Sequence, residues 1–341
     1  MQPTRIGMSG AGYIGKKHLD CLLGFDDARI VAIADGMGDR AREQAARCGA
    51  QAYEDHERML DAEELDALYI CVPPFAHGPP EAAAVERGLP FFVEKPLALD
   101  VETAEEIARG VSDRGLVTAA GYHWRYLNVV EKAREVLSEN PARLALGYWL
   151  DETPPVAWWS EEARSGGQMI EQTTHVFDLV RLLVGEVATV HAVGARSVRP
   201  AFPDADVSDV SVATLLFDSG ALGTVSSTCL LSGPHRVGLH LFCEGLAVEM
   251  SREELVVDDG ERRQVYERQG DPIAQEDRDF VDAVRGGENR IRAPYAEALR
   301  THRLAISAAR SAREGRTIEL HMEADDPAGP SHASPQAPAS R

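Results

Sequence analysis

The feature that most constrains this chain is a glycine-rich turn near its beginning. The apolar run from Ile6 to Met8 predicts a strand, and residues 16–23 have the apolar spacing of a helix. Between them lies a G-x-G-x-x-G segment, which in this context allows a tight turn, close approach of a pyrophosphate and tight helix–strand packing. The free N–H groups at the start of the helix favour binding of the phosphates. The turn therefore predicts a dinucleotide site formed by Gly10, Gly12, Tyr13, Ile14 and Gly15.

An acidic residue stands where the ribose of such a dinucleotide is expected. The second apolar run, from Ile30 to Ala34, is followed directly by Asp35. A carboxylate here accepts hydrogen bonds from the ribose hydroxyls and repels a 2′-phosphate. This favours NAD over NADP, although Arg40 lies close enough in sequence to allow NADP as well. The alternative interpretation is an ordinary βαβ turn followed by a solvated acid.

Composition restricts the class of protein. The 341 residues are enough for two domains, and 44% hydrophobic with 26% charged residues is usual for a globular protein. A formal net charge of −20 opposes binding to nucleic acid and to anionic membranes. The five cysteines are scattered, and neither a membrane-spanning run nor a secretory leader is found. These features predict a cytoplasmic protein with reduced thiols.

Residues 4 to about 120 alternate β-rich and helical stretches. This alternation predicts a doubly wound parallel sheet with helices on both faces, which binds ligands at the carboxyl ends of its strands. The predicted strands are 4–8, 29–34, 67–72, 90–94 and 116–120, and the predicted helices are 13–24, 38–48, 55–61, 79–88 and 101–114.

Three segments that follow predicted strands are candidates for the site. After the third strand, Pro73 begins an extended loop, and His77 either touches the cofactor or caps the next helix. After the fourth, Glu94-Lys95-Pro96 places a lysine where partial burial would make it a usable acid or base; a surface salt bridge is the alternative. After the fifth, residues 121–126 form either a cofactor-facing wall or the core that links two domains.

Beyond residue 143 the pattern changes to consecutive strands, after a helix over 128–139 and a break at Asn140-Pro141. Strands joined by short turns predict a mostly antiparallel sheet in an α+β domain. Its predicted strands are 144–150, 187–196, 207–217, 221–231, 236–243, 246–250, 254–257 and 317–321, with helices at 275–286 and 294–313. The Pro-, Ala- and Ser-rich tail over 323–341 is expected to be disordered.

A second informative stretch runs from Ser165 to Leu183. Its apolar spacing predicts a helix packed on the sheet, with Glu171, His175 and Asp178 one turn apart on one face. A carboxylate one turn from an imidazole can orient it for acid–base catalysis. A surface helix with a fortuitous Glu–His pair is the plain alternative. A metal site ranks last, and no metal is expected, because one helix supplies no clear fourth ligand.

Together these motifs resemble those of the glucose–fructose oxidoreductase, inositol dehydrogenase and rhizopine catabolism (Gfo/Idh/MocA) family. The glycine turn, the Glu94-Lys95-Pro96 triplet and the helix carrying Gly166, Gly167 and His175 occur in the family's order, and the likeness covers about residues 4–320. It implies a Rossmann domain over 1–124 and a C-terminal domain over 125–322 with a large open sheet. That sheet typically pairs subunits, which implies a homodimer or homotetramer.

The resemblance also implies an activity and residue roles. The activity is NAD(P)-dependent hydride transfer at a secondary alcohol or ketone of a sugar, cyclitol or related polyol. Lys95 and His175 would be the acid–base pair with Glu171 beside them, and Glu94 would be a structural or cofactor-side partner. The cofactor side would include Pro73, His77 and Lys95, and the substrate side Lys95, Tyr122, Arg125, Trp159 and His175.

Two departures from the family pattern leave the substrate open. Glu171 stands where many members have aspartate, and Trp158-Trp159 replaces a Trp-Arg pair, so that Trp159 can stack on a sugar ring. Two other functions also remain open on the same fold. One is a redox-neutral enzyme that holds NAD through transient oxidation with elimination, epimerisation or glycoside cleavage. The other is a non-catalytic dinucleotide- and sugar-binding regulator.

Overall fold

The computed structural model describes residues 2–320, and its N-terminal part is built on a parallel sheet. Within those residues, this sheet has six strands in the order β3-β2-β1-β4-β5-β6. The strand order reverses beside β1, which makes the carboxyl end of β1 the position where such sheets bind ligands. The strands are β1 (Thr4–Ser9), β2 (Ala28–Ala34), β3 (Gln51–Tyr53), β4 (Ala67–Ile70), β5 (Phe91–Val93) and β6 (Thr118–Ala120).

Helices cover both faces of this sheet, and their limits follow from local capping. The Asp55 and Asp100 carboxylates accept hydrogen bonds from backbone N–H groups in the first turns of α3 and α5, while Gly49 and Gly115 end α2 and α5 in the left-handed conformation. The predicted doubly wound sheet is confirmed. The helices are α1 (Tyr13–Leu22), α2 (Gly38–Cys48), α3 (His56–Ala62), α4 (Pro79–Glu86) and α5 (Val101–Arg114).

The second sheet is mixed but mostly antiparallel, as predicted. In the part of the chain that the structure describes it has nine strands in the order β14-β13-β12-β11-β7-β10-β9-β8-β15, and β7 with β10 is its parallel pair. The strands are β7 (Leu144–Glu152), β8 (Val187–Ala195), β9 (Val210–Phe217), β10 (Leu222–Leu231), β11 (Arg236–Cys243), β12 (Leu246–Ser251), β13 (Glu254–Asp258), β14 (Arg263–Glu267) and β15 (Ile318–Glu319).

Six further helices complete the described chain, and two of them return to the first sheet. Phe280 of α10 packs in one of the two hydrophobic cores of that sheet, and Tyr295 and Leu299 of α11 pack in the other. The domain limit at 124/125 stays a prediction, and the predicted tail over 323–341 lies outside the described residues. The helices are α6 (Asn128–Glu139), α7 (Glu162–Ser165), α8 (Gln168–Glu171), α9 (Thr174–Val184), α10 (Pro272–Val284) and α11 (Tyr295–Glu314).

The predicted helix over the second motif is interrupted. Gln172 and Thr173 separate α8 from α9, and the N–H of Thr173 donates to the carbonyl of Gln168, five residues back. This five-residue hydrogen bond shifts the helical register between Glu171 and His175, so the two side chains do not share one continuous helical face. Across residues 2–320, no helix is both long and apolar enough to cross a membrane.

Candidate active site

The glycine turn joins β1 to α1, and its three glycines meet different surroundings. Gly10 has a φ of +94°, and a Cβ there would lie 2.3 Å from the carbonyl oxygen of Cys71. A Cβ on Gly15 would lie 2.2 Å from the carbonyl oxygen of Gly10. A Cβ on Gly12 would meet only the Arg40 Nη1 atom, at 3.8 Å. The fold itself therefore requires Gly10 and Gly15, whereas the space at Gly12 is open, as a dinucleotide pyrophosphate needs.

The Asp35 carboxylate is fixed at the end of β2. Its Oδ2 atom accepts a hydrogen bond from the Ala11 N–H at 2.8 Å, and its Oδ1 atom accepts one from the Met37 N–H at 2.8 Å. The Arg40 Nη1 atom approaches Oδ2 to 3.4 Å. The Oδ1 atom, which accepts one hydrogen bond, still has a lone pair for a ribose hydroxyl. Together with the open glycine turn and the uncapped first turn of α1, this arrangement fits a bound dinucleotide.

Lys95 connects the first sheet to the second motif. Its Nζ atom donates to the Glu171 carbonyl oxygen at 2.7 Å and to the Glu171 Oε1 atom at 2.9 Å. The other oxygen, Oε2, accepts a hydrogen bond from the Trp159 indole at 2.8 Å. The Lys95 and Glu171 side chains are 14% and 16% exposed, so this ion pair is largely shielded from water.

His175 lies beside this ion pair in an aromatic enclosure. Its ring is 4.9 Å from that of His123 and 5.9 Å from those of Tyr122 and Trp149, measured between centroids. Burial, followed by the positive charge of Lys95, lowers the pKa of His175 well below its usual value. Its buried Nδ1 atom has no hydrogen-bond partner within residues 2–320. The imidazole is therefore neutral at pH 7 and available to a ligand.

The structure does not show the expected contact between His175 and an acid of its motif. Glu171 binds Lys95 and Trp159 instead. Arg125 donates two hydrogen bonds to the Asp178 carboxylate in a bidentate ion pair, with both N–O distances at 2.7 Å. The prediction that Glu171 or Asp178 orients the imidazole is wrong. The break before α9 separates Glu171 from His175, and the Asp178 carboxylate is bound by the buried Arg125. Aromatic packing holds the His175 ring.

Three residues predicted to contact the substrate are instead buried and make hydrogen bonds within the protein. Arg125 is 4% exposed, and besides Asp178 it donates to Glu297 at 2.9 Å and to a backbone carbonyl. The Tyr122 hydroxyl pairs with Thr174 at 2.9 Å, and Trp159 is fully buried. In this structure Arg125 does not face an exposed cleft, and the buried ring of Trp159 is not accessible to a sugar. Residues 121–126 serve both as the wall behind His175 and as the link between the sheets.

The predicted cofactor-side residues around the two loops are also held by the fold. The His77 Nδ1 atom pairs with Glu81 at 2.6 Å, in the first turn of α4 after the short 3₁₀ helix Pro74–Ala76 that follows Pro73. Glu94 is 3% exposed, and its Oε2 atom accepts a hydrogen bond from the Lys95 N–H at 3.0 Å. Glu94 thus fixes the backbone of the lysine rather than facing a cofactor.

Sequence reasoning missed a buried chain of charges behind Glu94. The His18 ring bridges Asp277 Oδ1 at 2.7 Å and Glu94 Oε1 at 3.0 Å. Burial alone would lower the pKa of His18, but the adjacent Asp277 and Glu94 carboxylates raise it well above its usual value. In return, the His18 hydrogen bond and charge outweigh burial and hold the pKa of Glu94 below its usual value. An imidazolium between two carboxylates therefore ties α1 and α10 to the loop that carries Lys95.

Comparison with known proteins agrees with this architecture. The family model "Oxidoreductase family, NAD-binding Rossmann fold" (GFO_IDH_MocA) matches residues 4–122, and the model for the GFO/IDH/MocA C-terminal domain matches residues 142–248. Inositol 2-dehydrogenase of Rhizobium meliloti is 30% identical over 93% of this chain and 99% of its own. Myo-inositol 2-dehydrogenase of Thermotoga maritima is 27% identical over 93% and 98%.

A solved structure extends the likeness to the whole fold. Levoglucosan dehydrogenase in complex with NADH superposes with a TM-score of 0.84 over 94% of this chain and 100% of its own, at 22% identity. At that identity the comparison supports the fold alone. The predictions of an NAD cofactor and of an oxidoreductase are confirmed by the family matches. The chain belongs to the Gfo/Idh/MocA family of NAD-binding oxidoreductases.

Proposed function

We propose that this protein is an NAD-dependent dehydrogenase of a secondary alcohol on a sugar or cyclitol. Its relatives named inositol 2-dehydrogenase support that substrate class. The observation that carries the proposal is the Lys95–Glu171 ion pair at 2.9 Å beside a neutral, enclosed His175. This arrangement supports the assignment of Lys95 and His175 as the proton donor and the proton acceptor.

The chain's own residues supply binding and proton transfer. NAD, when bound, supplies the hydride acceptor. The Lys95 ammonium donates a hydrogen bond to the substrate oxygen and stabilises the negative charge that grows there. Glu171, anchored by the Trp159 indole at 2.8 Å, holds the ammonium in place. The neutral His175 accepts the hydroxyl proton, and the two groups share the proton transfer in both directions.

Lys95→Ala and His175→Ala test this assignment. Each variant is expected to lose turnover by roughly 10²–10⁴-fold, the usual effect of removing a proton-transfer residue. The readout is NADH formation with a panel of polyols and aldoses, with NAD affinity measured by fluorescence titration as the control for folding and cofactor binding. Near-full turnover in either variant would contradict the role of that residue. A product without net NADH release would instead support the redox-neutral alternative.

We also propose that the protein forms a homo-oligomer through the outer face of its second sheet. Buried residues alternate with exposed or half-buried ones along β9 and β10, and the outward-facing set mixes threonine and serine with the exposed apolar side chains Val212, Leu216 and Leu222. Leu216 and Leu222 are directly paired across these strands and are 40% and 53% exposed. A second copy of the same face is a partner that would bury them.

A further inference from the structure

A cavity of about 310 Å³ lies on the flank of the candidate site. It is enclosed by α1, the 3₁₀ segment His123–Tyr126, the turn between β12 and β13, and the start of α10. Its lining includes Lys17, His123, Trp124, Arg252 and Arg268. Since one water takes about 30 Å³, the space can hold a polar substituent together with several waters.

Two of the three cations that line this cavity have no ion-pair partner among the described residues. Arg252 and Lys17 make no ion pair within residues 2–320, and the Lys17 Nζ atom lies 5.0 Å from the centre of the Tyr13 ring. Arg268 approaches Glu253 only to 3.8 Å. In a chain of net charge −20, three cations gathered around one cavity indicate a preference for an anion there.

Both acids of the lining are already engaged. Asp20 is paired with Arg47. Asp271 caps α10, where its Oδ1 atom accepts hydrogen bonds from the Ile273 and Ala274 N–H groups at 3.0 and 3.4 Å. Asp20 is thus neutralised by Arg47, whereas Asp271 keeps its charge, so the cations of the lining outnumber the acids that lack a cationic partner.

Two aromatic side chains of the cavity lining also pack against His175. His123 lines the cavity and lies 4.9 Å from His175 between ring centroids, and Trp124 stacks near the same ring at 6.3 Å. Burial lowers the pKa of His123 to about 4, so its ring is neutral and can donate a hydrogen bond. Along α1 the lining runs from Lys17, two residues after Gly15, to Cys21.

We propose that this cavity is a substrate subsite for an anionic substituent, a carboxylate or a phosphate. The substituent would lie between Lys17, Arg252 and Arg268, while the alcohol of the same molecule reacts between Lys95 and His175. The substrate class becomes an acidic sugar or cyclitol derivative. The inference rests on the proposed dehydrogenase function, which it narrows.

Matched pairs of compounds test the subsite. NADH formation is measured with glucose against glucuronate and glucose 6-phosphate, and with myo-inositol against its monophosphates. Because a hydrogen bond to a charged group contributes about 1.5–3 kcal/mol, the charged member should have a kcat/KM at least about tenfold above its neutral partner. A preference for glucuronate identifies a carboxylate substrate, and a preference for the phosphates identifies a phosphorylated one. The preference should shrink at high salt.

Arg252→Gln and Lys17→Gln should each reduce the charged-to-neutral ratio of kcat/KM by about tenfold, through KM. Arg263→Gln is the matched control, because Arg263 is an exposed arginine on β14 outside the cavity lining. Binding of glucuronate and glucose 6-phosphate to the NAD complex by calorimetry provides a readout that needs no turnover.

The two proposals fail in different ways. The subsite is overturned, and the dehydrogenase left intact, if charged and neutral partners have equal kcat/KM. It is also overturned if the charged-to-neutral ratio of kcat/KM is the same in Arg252→Gln and Arg263→Gln. Absence of NADH with every compound, despite NAD binding, overturns the proposed function. In that case, Arg252-dependent binding of an anionic sugar would still support the subsite, and its absence would overturn the subsite too.

Discussion

At the scale of single residues, Glu171 joins the two halves of the candidate site. One oxygen holds the Lys95 ammonium at 2.9 Å and the other holds the Trp159 indole at 2.8 Å. The extra methylene of glutamate, compared with the aspartate common in the family, lets one carboxylate span both partners. Trp159 stands where many family members have an arginine, and in this chain its indole N–H is the group that orients Glu171.

Glu171→Gln should lower kcat by about tenfold or more, because it removes the charge that holds the ammonium but keeps the size of the side chain. Glu171→Asp should also lower kcat, because a shorter side chain cannot reach Lys95 and Trp159 together. Steady-state kinetics with the best substrate of the panel provides the measurement. Glu161→Gln is the control, since Glu161 makes an exposed ion pair with Arg164 at 3.3 Å that contributes little. Full activity in Glu171→Gln would show that Lys95 needs no charged partner.

The His18 network predicts a pH dependence of stability. Because the folded pKa of His18 is raised, its contribution is complete below its ordinary value near 6.5 and is lost as the pH rises through the folded value. Burial raises the pKa of Glu276, whose two carboxylate oxygens have no hydrogen-bond partner among the described residues. Ionisation of Glu276 therefore also lowers the free energy of unfolding as the pH rises above about 4.5. The free energy of unfolding should therefore fall between pH 6.5 and alkaline pH.

The matching measurement is urea unfolding of the wild type and His18→Gln from pH 6 to pH 9. The variant should be less stable at pH 6 and should show a shallower decline, with the remaining slope due to groups such as Glu276. His56→Gln is a control, because His56 lies in α3 far along the sheet from this network. Parallel pH profiles of the wild type and His18→Gln would argue against a protonated His18.

Local sequence patterns could predict some of these residues but not others. Asp35 directly follows β2 and Lys95 lies two residues after β5, so their positions at the site follow from the sheet topology. His18 and Asp277 are 259 positions apart, and no local spacing signals their contact. Trp149 sits in an ordinary alternating strand, and only tertiary packing brings its ring to His175.

At the scale of secondary-structure elements, the strand–turn–helix unit separates folding from cofactor binding. Gly12→Ala should leave the free energy of unfolding within about 0.5 kcal/mol of the wild type, because φ is −73° and its Cβ meets nothing closer than 3.8 Å. It should weaken NAD binding, because the methyl group enters the space of the pyrophosphate. Gly15→Ala should destabilise the fold by roughly 1–3 kcal/mol through overpacking. NAD titration and urea unfolding of both variants check this; an unchanged NAD affinity in Gly12→Ala would contradict it.

Element prediction from the sequence succeeded where apolar periodicity was strong and failed where it was weak. The limits of α2, α5 and α6 agree with the predicted ranges, since Gly49, Gly115 and Asn140-Pro141 mark their C-terminal ends. β3 and β14 were missed because Gln51–Tyr53 is short and Arg263–Glu267 is mostly polar and exposed. The break between α8 and α9 lies in a run without glycine or proline, so the sequence contains no turn signal that predicts it.

At the scale of the whole molecule, the second sheet has one covered face and one open face. Its inner face packs against α6, α9 and α11, as the shared core shows. On the outer face Val193 pairs with Val212 across β8 and β9, and Leu216 pairs with Leu222 across β9 and β10. These four side chains are each at least 40% exposed in the single chain, which is unusual for adjacent strands of a stable monomer.

The double variant Leu216→Glu with Leu222→Glu should therefore convert the proposed oligomer to a monomer. Two carboxylates facing their symmetry mates oppose association by repulsion and by the cost of burying charge, whereas an exposed sheet face tolerates them in the monomer. Light scattering after gel filtration gives the mass directly. Val198→Glu is the control for an added carboxylate away from this face, because Val198 is 95% exposed in the loop after β8. An oligomer that persists in the double variant, or a wild type that is already monomeric at micromolar concentration, would show that the open face is not the interface.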